Sequence, residues 1–237
     1  WGFDGYLPLQ EEAVEAVLAG RDSIVVLPTG GGKSLCFQAP ALVRKGLAVI
    51  VSPLISLMKD QVDALAESGV EAARIDSTLT GAEKSEIFAH IRRGRIRILY
   101  LSPERIMTPA FLDFLRDTPL SYIAIDEAHC ISHWGHDFRP EYRRLGTLKK
   151  HFPGVGIHAY TATATPPVRE DIARQLNLVD PEVLVGSVDR PNLIYRARSR
   201  TDRYSHVKKV IDRHQDESGI VHCIRRKDVD RLCAARR

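Results

Sequence analysis

Ser23-Ile-Val-Val-Leu-Pro-Thr-Gly-Gly-Gly-Lys-Ser34 is the stretch that decides the fold. A short β-branched run, Ser23–Val26, leads into three consecutive glycines, and Lys33-Ser34 opens a helical pattern that reaches Val43. Glycine tolerates the backbone angles that turn successive N–H groups inward, and the following helix adds the positive end of its dipole. Strand, glycine loop and helix in that order predict a phosphate cradle made of Thr29, Gly30, Gly31, Gly32, Lys33 and Ser34. Lys33 would neutralise the β and γ phosphates, and Ser34 would offer its hydroxyl to Mg²⁺. Leu27 departs from the strict phosphate-loop pattern, which has glycine at that position.

Outward from this loop, apolar runs alternate with helical patterns. Ser23–Val26, Leu47–Val51, Arg97–Leu101, Ser121–Ile125 and Gly156–Tyr160 read as strands, and Ser34–Val43, Leu57–Glu67, Ala82–Arg93 and Arg169–Leu176 read as helices. Apolar strands separated by helices predict an α/β fold with a mainly parallel sheet covered on both faces. In such sheets the ligand site lies beyond the carboxyl ends of the strands. Asn177–Arg200 carries Pro181 and Pro191 without a helical period, which places a first domain at 1–180 and a linker at 181–200. A fresh unit at 201–237 then reads as a helix near Tyr204–His214, a strand Gly219–His222 and a helix from Lys227. The sequence reaches Arg237 inside that last pattern, so this unit is expected to be the truncated start of a second domain.

A second informative stretch follows the strand Ser121–Ile125: Asp126-Glu127-Ala128-His129. A carboxylate at a strand end beside a phosphate loop holds Mg²⁺, which assigns Asp126 to the metal together with Ser34. Glu127 is the candidate base that polarises an attacking water. Lys33, Asp126 and Glu127 are therefore the candidate catalytic residues for nucleoside triphosphate hydrolysis.

Composition narrows the class further. Hydrophobic residues make up 44% and charged residues 27% of the 237, which excludes a disordered or fibrous chain. No apolar run approaches the roughly 18 residues of a membrane span, and the start lacks a signal-peptide pattern. A cytoplasmic, nucleoid-associated protein without a membrane partner is expected. Cys36, Cys130, Cys223 and Cys233 are widely spaced with no C-x-x-C pair, so reduced and mostly buried thiols are expected rather than a zinc knuckle. Of the net charge of +4, residues up to Val188 contribute 20 cations against 23 anions, while those from Asp189 contribute 14 against 7. The basic surplus lies in the tail, which permits a polyanionic partner without demanding one.

Longer motifs point to one family. Val51-Ser-Pro-Leu-Ile-Ser-Leu-Met-Lys-Asp-Gln-Val62, Tyr100-Leu-Ser-Pro-Glu-Arg105 and above all Asp126-Glu-Ala-His-Cys-Ile-Ser-His-Trp-Gly-His-Asp-Phe-Arg-Pro-Glu-Tyr142 resemble RecQ-type DNA helicases. Tyr160–Ala164 and Val188–Asn192 extend the resemblance over essentially the whole chain. It implies a RecA-like P-loop NTPase domain that uses ATP and Mg²⁺ to move 3′ to 5′ on DNA and unwind it, at single strands and duplex junctions, in repair and recombination.

The resemblance also implies roles. Gln10 would read the adenine edge, for which a side-chain amide has both donor and acceptor; position 7, usually Arg in the family, is Leu7 here. Cys130–Arg139 is similar to the family's aromatic-rich loop, in which Trp134 and Phe138 would stack on unpaired bases while His136 and Arg139 meet phosphates or the nucleotide site. His133 stands where the family commonly has Gln. Ser52, Lys59, Ser102 and Arg105 match the strand path, where hydroxyls and cations bind backbone phosphates with little sequence preference. Thr161 and Thr163 match the motif that links nucleotide state to domain closure. The family's second RecA-like domain, with its arginine finger, and the zinc-binding and winged-helix elements are not in this sequence. The chain alone is therefore expected to hydrolyse ATP weakly and to unwind nothing. Single-strand-binding or repair proteins would be met through regions not present. Two other readings share part of the pattern: a DEAH-class RNA helicase, which lacks the Trp134–Arg139 loop, and a nucleotide-dependent DNA-binding module without turnover.

Overall fold

The structure, a computed structural model, describes residues 2–135, 137–187, 193–197, 199 and 202–235. His136 and the motif Val188–Asn192 lie outside the described residues. By internal contacts the chain divides into two compact units, 1–189 and 190–237.

The first unit is built on β1 (Ser23–Val26), β2 (Leu47–Val51), β3 (Ala72–Ile75), β4 (Ile98–Leu101), β5 (Leu120–Ile125), β6 (Gly156–Thr161) and β7 (Glu182–Val185). Around them run α1 (Gln10–Leu18), α2 (Lys33–Val43), α3 (Ile55–Glu67), α4 (Gly81–Arg92), α5 (Pro103–Ile106), α6 (Pro109–Arg116), α7 (Pro140–Arg143), α8 (Leu148–His151) and α9 (Pro166–Leu176). Every strand pair is parallel, in the order β3-β4-β2-β5-β6-β1-β7. Successive strand residues point to opposite faces. Val49, Val51, Leu99, Leu101, Ile123 and Ile125 enter one core with Phe111 and Leu115 of α6 and Ile172 of α9. Ala48, Ile50, Ile98, Tyr100, Tyr122 and Ala124 enter the other with Val17 of α1, Phe37 of α2 and Met58 of α3. Both faces of the sheet are covered, which is why its strands read as unbroken apolar runs.

At the amino ends of the strands, buried Asp22 gathers three elements. Its carboxylate accepts from Lys149 Nζ (2.6 Å), from the Ile157 N–H near the start of β6 (2.8 Å) and from the Val179 N–H ahead of β7 (2.8 Å). Beside it, Ser23 Oγ lies 2.9 Å from Nδ1 of buried His158.

Several elements depart from the sequence pattern. β3 is Ala-Ala-Arg-Ile, too poor in β-branched residues to signal itself, and exists because β4 offers it a ladder. β7 follows Pro181 and pairs with β1, so 182–185 belongs to the sheet and not to the linker read at 181–200. A proline just ahead of an edge strand withholds no ladder hydrogen bond, and the alternation of half-buried and exposed residues along β7 weakens its apolar signal. α1, which adds to the helices expected from the sequence, buries Ala13, Val14, Ala16 and Val17 behind Glu11 and Glu12 of its first turn.

The second unit contains α10 (Arg203–Ile211) and α11 (Arg226–Ala235), where helices were expected. Gly219–His222 forms no strand, a correction with a physical cause: the described residues of this unit offer no neighbouring strand for its N–H and C=O groups. No helix among the described residues is long and apolar enough to cross a membrane.

Candidate nucleotide and strand-binding site

Because β1, β6 and β5 are neighbours, the loops after Val26, Thr161 and Ile125 converge at the carboxyl end of the sheet. The Leu27 N–H donates to the Thr161 carbonyl (3.1 Å), seating the start of the glycine loop against β6. Gly32 has φ +71°, a conformation that strains any other residue, and a Cβ there would displace the Gln10 amide. Gln10 is buried; its Nε2 donates to the Gly32 (3.2 Å) and Gly31 (3.4 Å) carbonyls, while its Oε1 accepts from the Leu7 N–H (2.8 Å). The residue expected to read adenine thus braces the glycine loop. Lys33 Nζ donates to the Leu27 (3.0 Å) and Pro28 (3.4 Å) carbonyls, holding the ammonium at the loop. Ser34 is half-buried in the first turn of α2, and Thr29 and Gly30 are exposed.

The acid pair is held from several sides. The Asp126 N–H donates to the Val51 carbonyl (2.8 Å), and the Tyr142 hydroxyl donates to the Asp126 carbonyl (3.0 Å). Burial raises the Asp126 carboxyl to about 6 and the charge of Glu127 adds to this, against a hydrogen bond from the Glu127 N–H and the attraction of Lys33. Glu127 is left-handed at φ 49°, ψ 42°, a conformation costing on the order of 1–3 kcal/mol, and its carboxylate lies 3.3 Å from His129 Nδ1. His129 Nδ1 is also 2.8 Å from Thr161 Oγ1, whose hydroxyl donates to the Thr163 carbonyl (3.2 Å). Glu127, His129, Thr161 and Thr163 form one chain across the ends of β5 and β6.

The donor set suits the expected cofactor. A hydroxyl from Ser34 and a carboxylate from Asp126 are hard oxygens of the kind Mg²⁺ prefers, and a divalent cation would stabilise the ionised form of an acid that burial disfavours. A loop held in a glycine conformation at Gly32, with an ammonium beside it, suits phosphate oxygens.

The residues expected to meet nucleic acid spread over the same end of the sheet. Trp134 is 77% exposed and shares a cleft of about 370 Å³ with Gly135, Thr163 and Val26. Gly135 makes the bend possible, since a Cβ there would strike the His129 carbonyl. Phe138 is already engaged: the His133 ring lies against it at 3.9 Å between centroids, and the Arg143 guanidinium sits 5.4 Å away. Of the two rings expected to stack, Trp134 is the one presented to solvent. Arg139 pairs with Asp137 (2.9 Å) and reaches the Pro53 carbonyl (3.5 Å).

Ser52 is buried at the end of β2, where its N–H donates to the Leu101 carbonyl (2.9 Å). Ser102 Oγ accepts from the Arg105 N–H (3.3 Å), and both residues line a cleft of about 500 Å³ with Asp76, Ser77 and Lys84. Lys59 does not line that cleft; it is exposed on α3 and paired with Asp63. Thr161 is buried and Thr163 exposed. Sequence reasoning missed Tyr142 as the brace of Asp126 and Lys84 as a cation of the cleft. Lys84 was beyond reach because it follows β3, which had not been read, whereas Tyr142 lay at the end of the longest quoted motif without a role.

Fold and geometry together define a protein of the RecA-like, phosphate-loop class. Residues 7–172 match the family model described as DEAD/DEAH box helicase, and the chain belongs to that family. It is 45% identical over 237 residues to ATP-dependent DNA helicase RecQ of Pasteurella multocida, covering 100% of this chain and 38% of that protein. It is also 42% identical over 230 residues to the probable ATP-dependent DNA helicase RecS of Bacillus subtilis, covering 96% and 46%. These relatives bear out the resemblance to the motor domain of RecQ helicases, and the chain spans less than half of their length. Helicase Lhr of Mycobacterium smegmatis, solved with ssDNA and AMP-PNP, aligns with a TM-score of 0.66 at 20% identity over 98% of this chain and 34% of that one. The DUF1998 helicase MrfA aligns with a TM-score of 0.70 at 19% identity over 99% and 38%. Both share the fold.

Proposed function

We propose that this chain is the ATP-binding motor portion of a RecQ-type DNA helicase, working 3′ to 5′ in repair and recombination. One observation carries the reading: the line of polar contacts from Glu127 through His129 to Thr161 and Thr163 ends beside the cleft that holds exposed Trp134. A strand stacked on Trp134 is thereby connected to the candidate base. The names of the relatives, ATP-dependent DNA helicases, support the same substrate class.

In this reading the inward N–H groups of 29–34 hold the phosphates, Lys33 exchanges its loop carbonyls for phosphate oxygens, and Gln10 keeps Gly31 and Gly32 in place while its amide meets the base. Mg²⁺, when bound to Ser34 and Asp126, neutralises phosphate charge. Glu127 takes the proton of the attacking water, and His129 orients the Glu127 carboxylate. Ser102, Arg105 and buried Ser52 follow the strand backbone, with Arg139 linking the aromatic loop to Pro53.

The test is ATP turnover by the chain with single-stranded DNA or with RNA of equal length. Stimulation by DNA is the expected result, against a weak basal rate; a strong preference for RNA would overturn the DNA assignment.

A further inference from the structure

Tyr142 of α7 is fully buried, and its ring belongs to the same core as Ile125, Cys130 and Leu145. Apolar packing accounts for the ring, whereas the hydroxyl is spent on the acid pair. It donates to the Asp126 carbonyl at 3.0 Å. That carbonyl is part of the peptide joining Asp126 to Glu127, and the N–H of the same peptide donates to Asp126 Oδ1 at 2.9 Å. Both polar ends of the peptide between the two acids are therefore held. The orientation of this rigid plane sets ψ of Asp126 and φ of Glu127. Glu127 has φ 49°, a left-handed value that a glutamate keeps only where its surroundings impose it.

The same hydroxyl closes a circuit. The Cys130 N–H donates to the Glu127 carbonyl (2.9 Å), the Arg139 N–H to the Cys130 carbonyl (2.8 Å) and the Tyr142 N–H to the Arg139 carbonyl (3.0 Å). From Tyr142 the hydroxyl returns to Asp126, next to where the circuit began. Three of its four links run from backbone to backbone, and the fourth is supplied by one side chain. The bond between Arg139 and Cys130 ties off the base of the loop that presents Trp134 to solvent. The base of that loop and the peptide between the acids thus share one hydrogen-bonded ring.

We propose that Tyr142 is a positioning residue for hydrolysis. Its hydroxyl holds the Asp126–Glu127 peptide in the orientation that aims the Glu127 carboxylate, and it makes that orientation depend on the base of the Trp134 loop. Tyr142 touches neither nucleotide nor strand and acts through the two acids. Without the hydroxyl the peptide is free to turn, which relieves the left-handed strain at Glu127 and swings the candidate base away from its place. The hold on the peptide stands on the hydrogen bonds alone; its effect on turnover rests on the proposed function.

The experiment compares the unaltered chain with Tyr142→Phe, which keeps the buried ring and removes the hydroxyl alone. Amide hydrogen exchange is measured first, without nucleotide or DNA. The Glu127, Cys130 and Arg139 amides are expected to exchange about three- to tenfold faster in the variant, the factor of one lost hydrogen bond. The Ile157 and Val179 amides, held by Asp22, are expected to keep their rates. Turnover with saturating single-stranded DNA is then expected to fall about tenfold or more while the KM for ATP stays within about twofold, because a misaimed base slows the chemical step and leaves nucleotide binding alone. Unaltered exchange at the three amides, equal loss of protection at Ile157 and Val179, or an undiminished turnover number would each overturn the proposal. An unaltered chain that DNA fails to stimulate counts against the proposed function instead, and the exchange rates still decide whether the hydroxyl holds the peptide.

Discussion

The two ends of the parallel sheet carry polar clusters of similar size and opposite character. At the amino ends Asp22 spends its carboxylate on one cation and two backbone N–H groups, and Ser23 meets His158. Each contact there joins elements of the fold. At the carboxyl ends Asp126 is pushed up to about 6, Glu127 sits in a strained conformation, Lys33 rests on carbonyls and Trp134 faces solvent. A cluster whose contacts join elements of the fold holds a structure together, while one that keeps a strained residue, a raised acid and an exposed ring is arranged for a ligand.

Substitutions at the two ends are therefore expected to separate activity from stability. The largest effect belongs to Glu127→Gln, for which loss of a general base lowers DNA-stimulated ATP turnover by about 10²–10⁴-fold with little change in unfolding midpoint. Equal rates in both proteins would favour a binding module that does not turn over. Next is Asp22→Ala, which leaves the Lys149 ammonium and two N–H groups without their acceptor. Urea unfolding is expected to show a loss of about 3–5 kcal/mol, with nucleotide affinity intact in the folded fraction. Trp134→Ala reverses the pattern: stability changes by less than about 0.5 kcal/mol, because the ring is exposed, while single-strand affinity, read by fluorescence anisotropy, falls by about 1–3 kcal/mol.

A smaller expected effect is the pH dependence of the amino end. Burial lowers His158 from 6.5 to about 3. Above pH 6.5 the imidazole is neutral in both folded and unfolded chains and contributes nothing. Between 6.5 and 3 only the unfolded chain takes up the proton, so stability falls as pH falls, by about 2 kcal/mol at pH 5 relative to pH 7. Urea midpoints across that window measure the slope, and His158→Gln should flatten it; an unchanged slope in the variant would move the effect to other groups. Last, Lys59→Ala should weaken single-strand binding less than Arg105→Ala, since Lys59 is paired on α3 outside the cleft that Arg105 lines.

Much of this asymmetry was legible in the sequence. The glycine loop and Asp126-Glu127 could be placed because strong apolar strands precede them and because parallel sheets put ligand chemistry at strand ends. β3 was illegible because Ala-Ala-Arg-Ile carries little strand preference of its own, and β7 because a proline precedes it and half its residues are exposed; both are drawn into the sheet by a neighbouring strand. Gly219–His222 shows the converse, a run with a strand pattern and no ladder to join among the described residues. Contacts between distant residues were also out of reach, among them the Gln10 amide on the glycine loop and the Phe138 ring taken up by His133.

The most direct test of the central claim is calorimetric titration of ATP with Mg²⁺ into the chain and into its Lys33→Ala variant. Saturable heat from the unaltered chain, weakened by about tenfold or more in the variant, is the expected result, because an ammonium facing phosphates makes charge-assisted bonds that alanine lacks. No heat from the unaltered chain, or two superimposable isotherms, would contradict the assignment of the carboxyl end as the nucleotide site.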